Sequence, residues 1–298
     1  MKKTWKIAAA AVFAAAIGAS ACYYMFEERR ADVTPPVINC GEDALTVSIQ
    51  AADEDILSGV SAWDDRDGDI SDQVLVEGLS KFTEPGKSTV TYVVADSGGN
   101  VAKKTRPVFF EDYTGPEFFF KDELRVSAAQ SEQLLDIVGA RDCIDGDISG
   151  RVKLSVKSGS LSEPGECRVE LRVTNSMGDT VKLEVPVTVY SPGDSSQAYS
   201  PRVRLSSYIV YLDKGGSFSA RGLIEGVEVK VRGEEYAALE LDDDQTMIPV
   251  GKYPYGRITV WDSKLDADTP GVYRVTYRTA MDGYSGETLL TVVVREDA

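Results

Sequence analysis

The sequence predicts an all-β protein made of three tandem antiparallel β-sandwiches after an N-terminal hydrophobic helix. The main observation is a repeat: the stretch from Gly59 to Ser71 recurs as Val138 to Ser149, with Asp69 answering to Asp147, 78 residues later. Within each repeat, apolar and polar residues alternate over short segments, which is the period of half-buried strands. Turn residues such as Glu84-Pro-Gly86 separate these segments, as in sandwich domains.

The N-terminal segment, residues 1–31, combines lysines with an uncharged apolar stretch from Ile7 to Phe26. This order of charge directs everything after the segment out of the cytoplasm. The stretch is just long enough to span a bilayer, so the first prediction is an uncleaved single-pass anchor in the cell membrane, with the C-terminal region extracellular. Two alternatives stay open: cleavage at Ala19-Ser-Ala21, which yields a secreted protein, and lipidation of Cys22.

The repeat also predicts the domain boundaries. A first sandwich covers residues 32–113 and a second covers 114–190. Residues 191–201 are small, polar and bounded by proline, which is the composition of a flexible linker, so we expect a looser boundary there. Residues 202–298 form a divergent third sandwich, because only the later half of the repeat returns, at Thr269 to Tyr277.

Composition excludes several function classes. The formal net charge is −16, and a strongly acidic surface repels nucleic acid. The chain has no histidine, which removes Ser-His-Asp and Cys-His catalysis and histidine-ligated zinc. Nucleophile-elbow and phosphate-loop motifs are absent from the sequence. We therefore expect no enzyme and no nucleic-acid partner.

The repeated motif resembles a known family. The run Asp64-x-x-Asp67-Gly-Asp69-Ile-Ser, followed by Glu-Pro-Gly and an Asp96-x-x-Gly-Asn100 turn, is similar to the bacterial surface Ig-like domain family, which is related to HYR-type and group-3 bacterial Ig-like modules. The second repeat departs from this pattern at the latter turn, which starts there with Asn175. The resemblance implies tandem Ig-like sandwiches, secreted or surface-anchored, that act as spacers or adhesion modules without catalysis.

Together these features predict a non-catalytic, surface-anchored extracytoplasmic protein. Its first two Ig-like domains would form a stalk that presents the divergent third domain for adhesion or ligand binding. The expected partners are the membrane, through the N-terminal segment, and a protein or glycan at the cell surface. The alternatives are a structural or assembly component of the cell envelope, and a carbohydrate- or peptidoglycan-binding accessory module.

The aspartate-rich turns suggest two hypotheses. In an Ig-ordered sandwich the Asp-Gly-Asp loop and the Asp96 turn lie at the same pole, where clustered carboxylates repel one another and calcium could neutralise them. The preferred alternative is that the aspartates only accept backbone hydrogen bonds in tight turns, since their spacing does not fit an EF-hand loop. The candidate calcium ligands are Asp64, Asp67, Asp69, Asp96, Asn100, Glu111, Asp112, Asp142, Asp145 and Asp147.

Cysteines and aromatic residues supply the remaining candidates. Cys143 and Cys167 lie in one domain and could form a disulfide worth about 3 kcal/mol on the chain-entropy model. The first domain has no cysteine at the equivalent places, so the fold does not require this bridge. Loop aromatics often form binding surfaces, although packing under the loop is the simpler role. The candidate ligand-binding aromatics are Tyr253, Tyr255, Trp261 and Tyr284.

Overall fold

The computed structural model describes residues 16–23, 32–193, 200–229, 237–241, 247–248, 258–262, 264–281 and 284–296. The chain divides into two compact units, Met1–Tyr113 and Thr114–Ala298. Residues 16–23 are helical, and the rest of the predicted anchor lies outside the described residues. Every helix in the described part of the chain is too short or too polar to cross a membrane.

The first unit contains one sandwich with a three-stranded and a four-stranded sheet. In spatial order the smaller sheet has β1 (Val37–Asn39), β3 (Ser61–Asp64) and β4 (Gly68–Asp69). The larger sheet has β2 (Leu45–Val47), β7 (Val101–Phe110), β6 (Lys87–Ala95) and β5 (Leu75–Leu79). A short α-helix, Asp53–Ile56, and a 3-10 helix, Ser71–Gln73, complete the connections.

The second unit begins with a sandwich of the same topology. Its smaller sheet has β8 (Glu117–Phe120), β10 (Val138–Asp142) and β11 (Gly146–Asp147). Its larger sheet has β9 (Arg125–Ser127), β14 (Thr180–Tyr190), β13 (Gly165–Thr174) and β12 (Lys153–Ser158). An α-helix, Leu134–Ile137, and two 3-10 helices, Ser131–Gln133 and Ser149–Arg151, connect the strands.

The third sandwich has two four-stranded sheets. One has β15 (Arg202–Leu205), β17 (Ile224–Val229), β18 (Ala237–Leu241) and β19 (Met247–Ile248). The other has β16 (Ile209–Asp213), β22 (Tyr284–Arg295), β21 (Gly271–Met281) and β20 (Ile258–Trp261). A 3-10 helix, Arg221–Leu223, precedes β17. The three pairs of sheets confirm the predicted all-β fold of three sandwiches.

Alternation along the strands builds each core. In β6, Val90, Tyr92 and Val94 are buried while their neighbours are partly exposed, so the apolar side of the strand faces the opposite sheet. The hydroxyl of Tyr92 donates a hydrogen bond to the carbonyl of Ile56 at 2.8 Å, which satisfies the one polar atom this aromatic brings into the core.

Each sandwich also contains one parallel pair that the prediction of antiparallel sheets did not include. The pairs are β2 with β7, β9 with β14, and β16 with β22. In all three, an early strand of the domain lies beside its last strand. Because the other strand pairings of the described residues are antiparallel, this feature is shared by all three sandwiches and marks them as copies of one topology.

The second and third sandwiches pack against each other within one unit, although the composition of residues 191–201 suggested a looser junction. The hydroxyl of Tyr211 both donates to the carbonyl of Phe118 and accepts from its N–H, each at 3.1 Å. The two sandwiches also share a continuous hydrophobic core. Linker composition could not reveal this, because the contacts are made by strands and not by the linker.

Ionic groups reinforce that packing. Arg202 pairs with Asp122, and buried Glu123 accepts a hydrogen bond from the N–H of Leu289 at 2.9 Å. Burial raises the pKa of the Glu123 carboxyl, while the guanidinium groups of Arg125 and Arg202 oppose the rise. These groups meet across the junction, so separating the two sandwiches would leave buried Glu123 without its partners on the third sandwich.

Candidate metal centre at the pole of the first sandwich

The Asp-Gly-Asp turn of the first sandwich is organised by Asp64, which ends β3. Its Oδ1 accepts hydrogen bonds from the N–H groups of Arg66 and Asp67, both at 2.9 Å. Gly68 then starts β4 with a φ of 77°, which an L side chain rarely adopts. Asp64 is only 1% exposed, so the turn holds a carboxylate inside the pole of the sandwich.

Asp67 and Asp69 are occupied by other parts of the turn. Asp67 reaches the β6–β7 turn, where it accepts from the N–H of Ser97 at 2.6 Å and from its hydroxyl at 2.7 Å. Asp69 accepts from the N–H of Ser71 at 3.0 Å and from its hydroxyl at 2.5 Å. These hydrogen bonds, chiefly the one from the Ser97 N–H and the one from the Ser71 hydroxyl, hold the pKa values of Asp67 and Asp69 below the ordinary range. Both residues therefore act as turn caps, which is the role of the preferred hypothesis.

Asp96 starts the β6–β7 turn and is 7% exposed. Its Oδ1 accepts from the N–H of Asn100 and its Oδ2 from the side-chain amide of Asn100, both at 2.8 Å. Burial acts to raise the pKa of Asp96, but the hydrogen bonds from Asn100 and from the backbone of Gly98 and Gly99 outweigh it and lower the pKa. The carboxylate is therefore held in its charged form.

The structure brings Asp64 and Asp96 together with Asp32, which the sequence analysis did not single out. Oxygen atoms of all three carboxylates lie within 4.8 Å of one another. One oxygen of Asp32 accepts from the N–H of Thr34 at 3.1 Å. The Oδ2 atoms of Asp32 and Asp64 are buried and have no hydrogen-bond partner among the described residues. We call Asp32, Asp64 and Asp96 the carboxylate triad.

At the equivalent pole of the second sandwich, the buried aspartate receives a hydrogen bond from a side-chain amide. Oδ1 of Asp142 accepts from the N–H groups of Ile144 and Asp145 at 2.9 and 3.0 Å, as Asp64 does in the first sandwich. Its Oδ2, however, accepts from the side-chain amide of Asn175 at 3.0 Å. Asn175 begins the turn that Asp96 begins in the first sandwich. The first turn has Asp96 and Asn100 where the second has Asn175 and Asp179, and the asparagine at the start of the second turn gives the second buried aspartate an internal partner.

The other aspartates of the second pole also have structural partners. Asp145 accepts from the N–H of Ser176 at 2.6 Å and pairs with Arg151 at 2.5 Å. Burial works against the charged form of Asp145, but these two partners hold its pKa below the ordinary value. Asp147 accepts from the N–H and hydroxyl of Ser149 at 2.9 and 2.6 Å. The second pole is therefore a set of turn caps.

Two further candidate ligands precede the second unit. Asp112 is used within the first sandwich, where it accepts from the hydroxyl of Ser48 at 2.6 Å and the N–H of Ile49 at 2.7 Å. Hydrogen bonds from Ser48 and Ile49 lower the pKa of this carboxyl. Glu111 is exposed. Asp112 is therefore a loop cap in its own domain.

The predicted disulfide is wrong in this structure, because Cys143 and Cys167 are both free thiols. Cys167 faces the core from β13, where burial raises the pKa of its thiol, whereas Cys143 is exposed in the turn after Asp142. Cys143 follows Asp142, which contacts Asn175, whereas Cys167 lies eight residues before Asn175 along extended β13, so the two thiols are too far apart to form a bridge. Cys22 is a free, exposed cysteine, and its lipidation stays a prediction.

The aromatic candidates do not form one described surface. Trp261 lies on the edge strand β20, is 52% exposed, and carries the Arg278 guanidinium 4.6 Å from its ring centre. Tyr284 belongs to β22 and not to a loop, because the final strand begins earlier than its glycines suggested. Tyr253 and Tyr255 lie outside the described residues.

Comparisons with known proteins identify part of the chain. Residues 41–109 match the family described as "Bacterial surface protein, Ig-like domain", so most of the first sandwich is a domain of this type. Asp32 lies outside this match. Pesticidal crystal protein Cry22Aa from Bacillus thuringiensis is 30% identical over 132 residues, which are 43% of this chain. The chain spans only 18% of the length of that relative.

Comparison with solved structures gives only matches of low similarity. The lipoprotein BT2262 from Bacteroides thetaiotaomicron is 14% identical, with a TM-score of 0.20 over 59% of this chain and 98% of that one. A Clostridium perfringens ZmpB structure with CBM51-2 in complex with GlcNAc is 16% identical, with a TM-score of 0.21 over 87% and 42%. The extracellular domain of protocadherin gammaB4 is 13% identical, with a TM-score of 0.18 over 88% and 49%. At these scores the matches carry no argument about fold or function.

Proposed function

We propose that this protein is a non-catalytic, surface-anchored extracytoplasmic protein whose Ig-like domains present the third sandwich for adhesion or ligand binding. The observation that carries the proposal is the match of residues 41–109 to a bacterial surface Ig-like domain, within a chain that repeats this domain. An export segment at the N-terminus agrees with that location.

The chemistry of the repeated aspartate turns supports a role without catalysis. The chain has no histidine. Asp67, Asp69, Asp145 and Asp147 accept hydrogen bonds from nearby N–H and hydroxyl groups, which leaves them as turn caps and not as general bases facing a cleft. Such a molecule acts by holding and displaying surfaces.

The packing of the third sandwich on the second supports presentation as one body. Arg202, Asp122 and Glu123 hold the two together, so a partner bound to the third sandwich transmits its load to the second. Trp261 supplies an exposed aromatic surface on an edge strand of the third sandwich. Exposed tryptophans are frequent anchors in protein interfaces and in sugar recognition, because they give a large rigid contact area.

The test is capture by the full chain, immobilised through its N-terminal segment, from envelope and host-surface fractions and on a glycan array. The informative variant is Trp261→Ala, and its matched control is Trp63→Ala. Trp63 is 59% exposed and lies on β3 of the first sandwich, so both substitutions remove an exposed tryptophan from a strand.

We expect Trp261→Ala to weaken capture at least about tenfold, the size of a modest interface hot spot, and Trp63→Ala to leave it unchanged. A protein captured from the fractions supports adhesion, and a sugar retained on the array supports the carbohydrate-binding alternative. Capture that is equally insensitive to both variants, or no capture by the folded chain, contradicts presentation by this surface and favours the structural alternative.

A further inference from the structure

We propose that the carboxylate triad of the first sandwich binds a single hard divalent cation, Ca²⁺, and that the second sandwich lacks this site. The proposal goes beyond surface display, since it assigns a metal site and a ligand set to one pole of one domain. It starts from the three carboxylates whose oxygens approach within 4.8 Å.

The charge of the triad needs a partner. Three carboxylates at this spacing repel one another strongly, and Asp64 is 1% exposed, so bulk water cannot screen it. Asn100, the side-chain donor to Asp96, is an uncharged amide and does not offset this negative charge. A bound cation is the simplest way to compensate such a cluster.

Two orphan oxygens indicate where the cation binds. Oδ2 of Asp32 and Oδ2 of Asp64 are shielded from solvent and lack a hydrogen-bond donor in the described part of the chain. A buried carboxylate oxygen without a donor is costly, whereas a carboxylate oxygen on a metal ion is satisfied. In the first sandwich these two oxygens are therefore available to bind a cation.

The ligand chemistry selects the ion. The triad offers only oxygen atoms, which favour Ca²⁺ and Mg²⁺ over zinc or copper. The three side chains come from the start of the domain, the end of β3 and the β6–β7 turn. Ca²⁺ tolerates such an irregular arrangement and completes its shell with water and carbonyl oxygens, whereas Mg²⁺ demands near-octahedral geometry.

The second sandwich provides an internal comparison. Its buried aspartate, Asp142, receives the amide of Asn175 at 3.0 Å, so the equivalent oxygen is already satisfied by a neutral donor. Replacing a carboxylate with an amide removes one negative charge and supplies one hydrogen bond. The same fold can thus satisfy the buried aspartate oxygen with a cation, as proposed for the first sandwich, or with an asparagine amide, as in the second.

A cation at the triad would join three segments that are far apart in sequence. Asp32 lies directly after the N-terminal segment, whereas Asp64 and Asp96 belong to two turns of the sandwich. Binding would therefore fix the direction in which the chain enters the first domain. Calcium outside the cell would stiffen the connection between this domain and its anchor.

The test is calorimetric titration of the EDTA-treated full chain with CaCl₂, and in parallel with MgCl₂. The informative variant is Asp96→Asn, which copies Asn175, and the matched control is Asp69→Asn, which removes an aspartate from the same pole but outside the triad. We expect one Ca²⁺ per chain in the unchanged protein and in the control, with a Kd of about 0.1–1 mM as in extracellular modules, and none in Asp96→Asn.

Cooperative thermal unfolding provides the second readout and shows that each variant is folded. At a Ca²⁺ concentration 100-fold above Kd, the ratio of folded to unfolded first domain should rise about 100-fold in the unchanged protein and stay constant in Asp96→Asn. No saturable Ca²⁺ binding at millimolar concentration, or equal binding by folded Asp96→Asn, overturns the proposal. Neither readout depends on capture by the third sandwich, so failure of one proposal does not affect the other.

Discussion

The first two sandwiches solve the same electrostatic problem in different ways. Both bury an aspartate at the end of the third strand of the domain, Asp64 or Asp142, and both use one of its oxygens to cap the following turn. They differ in the residue that faces the other oxygen, which is Asp96 in one and Asn175 in the other. The comparison shows what the Asn175 amide does: it donates to the second oxygen of Asp142, whereas the second oxygen of Asp64 has no donor among the described residues.

The largest effect should come from making the second pole resemble the first. Asn175→Asp places a second carboxylate beside buried Asp142 and removes the side-chain amide that donates to it. We expect a loss of about 3 kcal/mol of unfolding free energy in metal-free buffer, the scale of an uncompensated buried charge.

The measurement is urea unfolding followed by mass-spectrometric labelling of Cys167, a core thiol of the second sandwich. Exposed Cys143 should label at once and serves as the reference. A loss below about 0.5 kcal/mol would mean that the amide is not what stabilises this pole.

The opposite change, Asp96→Asn, should stabilise the first sandwich without metal. It reduces the repulsion within the carboxylate triad and gives Asp64 a neutral donor, as in the second sandwich. We expect a gain of about 1–2 kcal/mol, measured by urea unfolding with Trp63 fluorescence in EDTA. A loss of stability in EDTA would show that Asp96 is more valuable as a carboxylate cap of its own turn than as a ligand.

Acid should weaken both poles in the same direction. Asp67 and Asp145 have lowered pKa values, so their contribution to stability is present above the unfolded-state pKa near 4 and is lost as pH falls through their lower folded-state pKa values. Ser97→Ala and Ser176→Ala each remove a hydroxyl donor and should flatten the pH dependence of stability between about pH 4 and pH 2. Unfolding midpoints at a series of pH values test this, and an unchanged slope in both variants contradicts it.

The smallest difference concerns Arg151, which pairs with Asp145 at 2.5 Å in the second sandwich. Gln73 occupies the matching place in the first. Because the arginine side chain is 50% exposed, Arg151→Gln should cost only about 0.5 kcal/mol, and less at 1 M salt. Urea unfolding at low and high salt measures this, and a salt-independent loss would point to packing instead of charge.

Much of the fold was predictable because repetition and alternation act locally. The recurrence of Asp-Gly-Asp-Ile-Ser and the burial of Val90, Tyr92 and Val94 follow from the sequence pattern alone. The parallel pairs were not predictable in this way, since strand direction within a sheet depends on how the chain returns. The contact between the second and third sandwiches was missed for a related reason: it depends on side chains, such as Tyr211, whose partners are remote in sequence.

The candidate site shows the same limit. Asp64 and Asp96 carried a signal, because each opens a turn in the repeated motif. Asp32 was missed although the pattern Asp32-x-Thr-x-Pro36 recurs as Asp112-x-Thr-x-Pro116, because the sequence analysis compared the turns and not the residues that precede the first strand. The failure of the Cys143 to Cys167 bridge has a similar origin, because strand parity placed Cys167 correctly but could not show that a turn residue faces solvent.

The parallel pairing of an early strand with the last strand has a mechanical consequence. In each sandwich the chain enters and leaves the sheet that holds the parallel pair running in the same direction, so a pull on both ends of the domain would slide these two strands lengthwise past each other. The hydrogen bonds between the two strands then bear the pulling force at the same time and do not break one after another. Three residue pairs form this clamp in the first and second sandwiches and five, Ile209 to Asp213 against Thr291 to Arg295, in the third. The third sandwich would therefore be the last to yield when a captured surface pulls away.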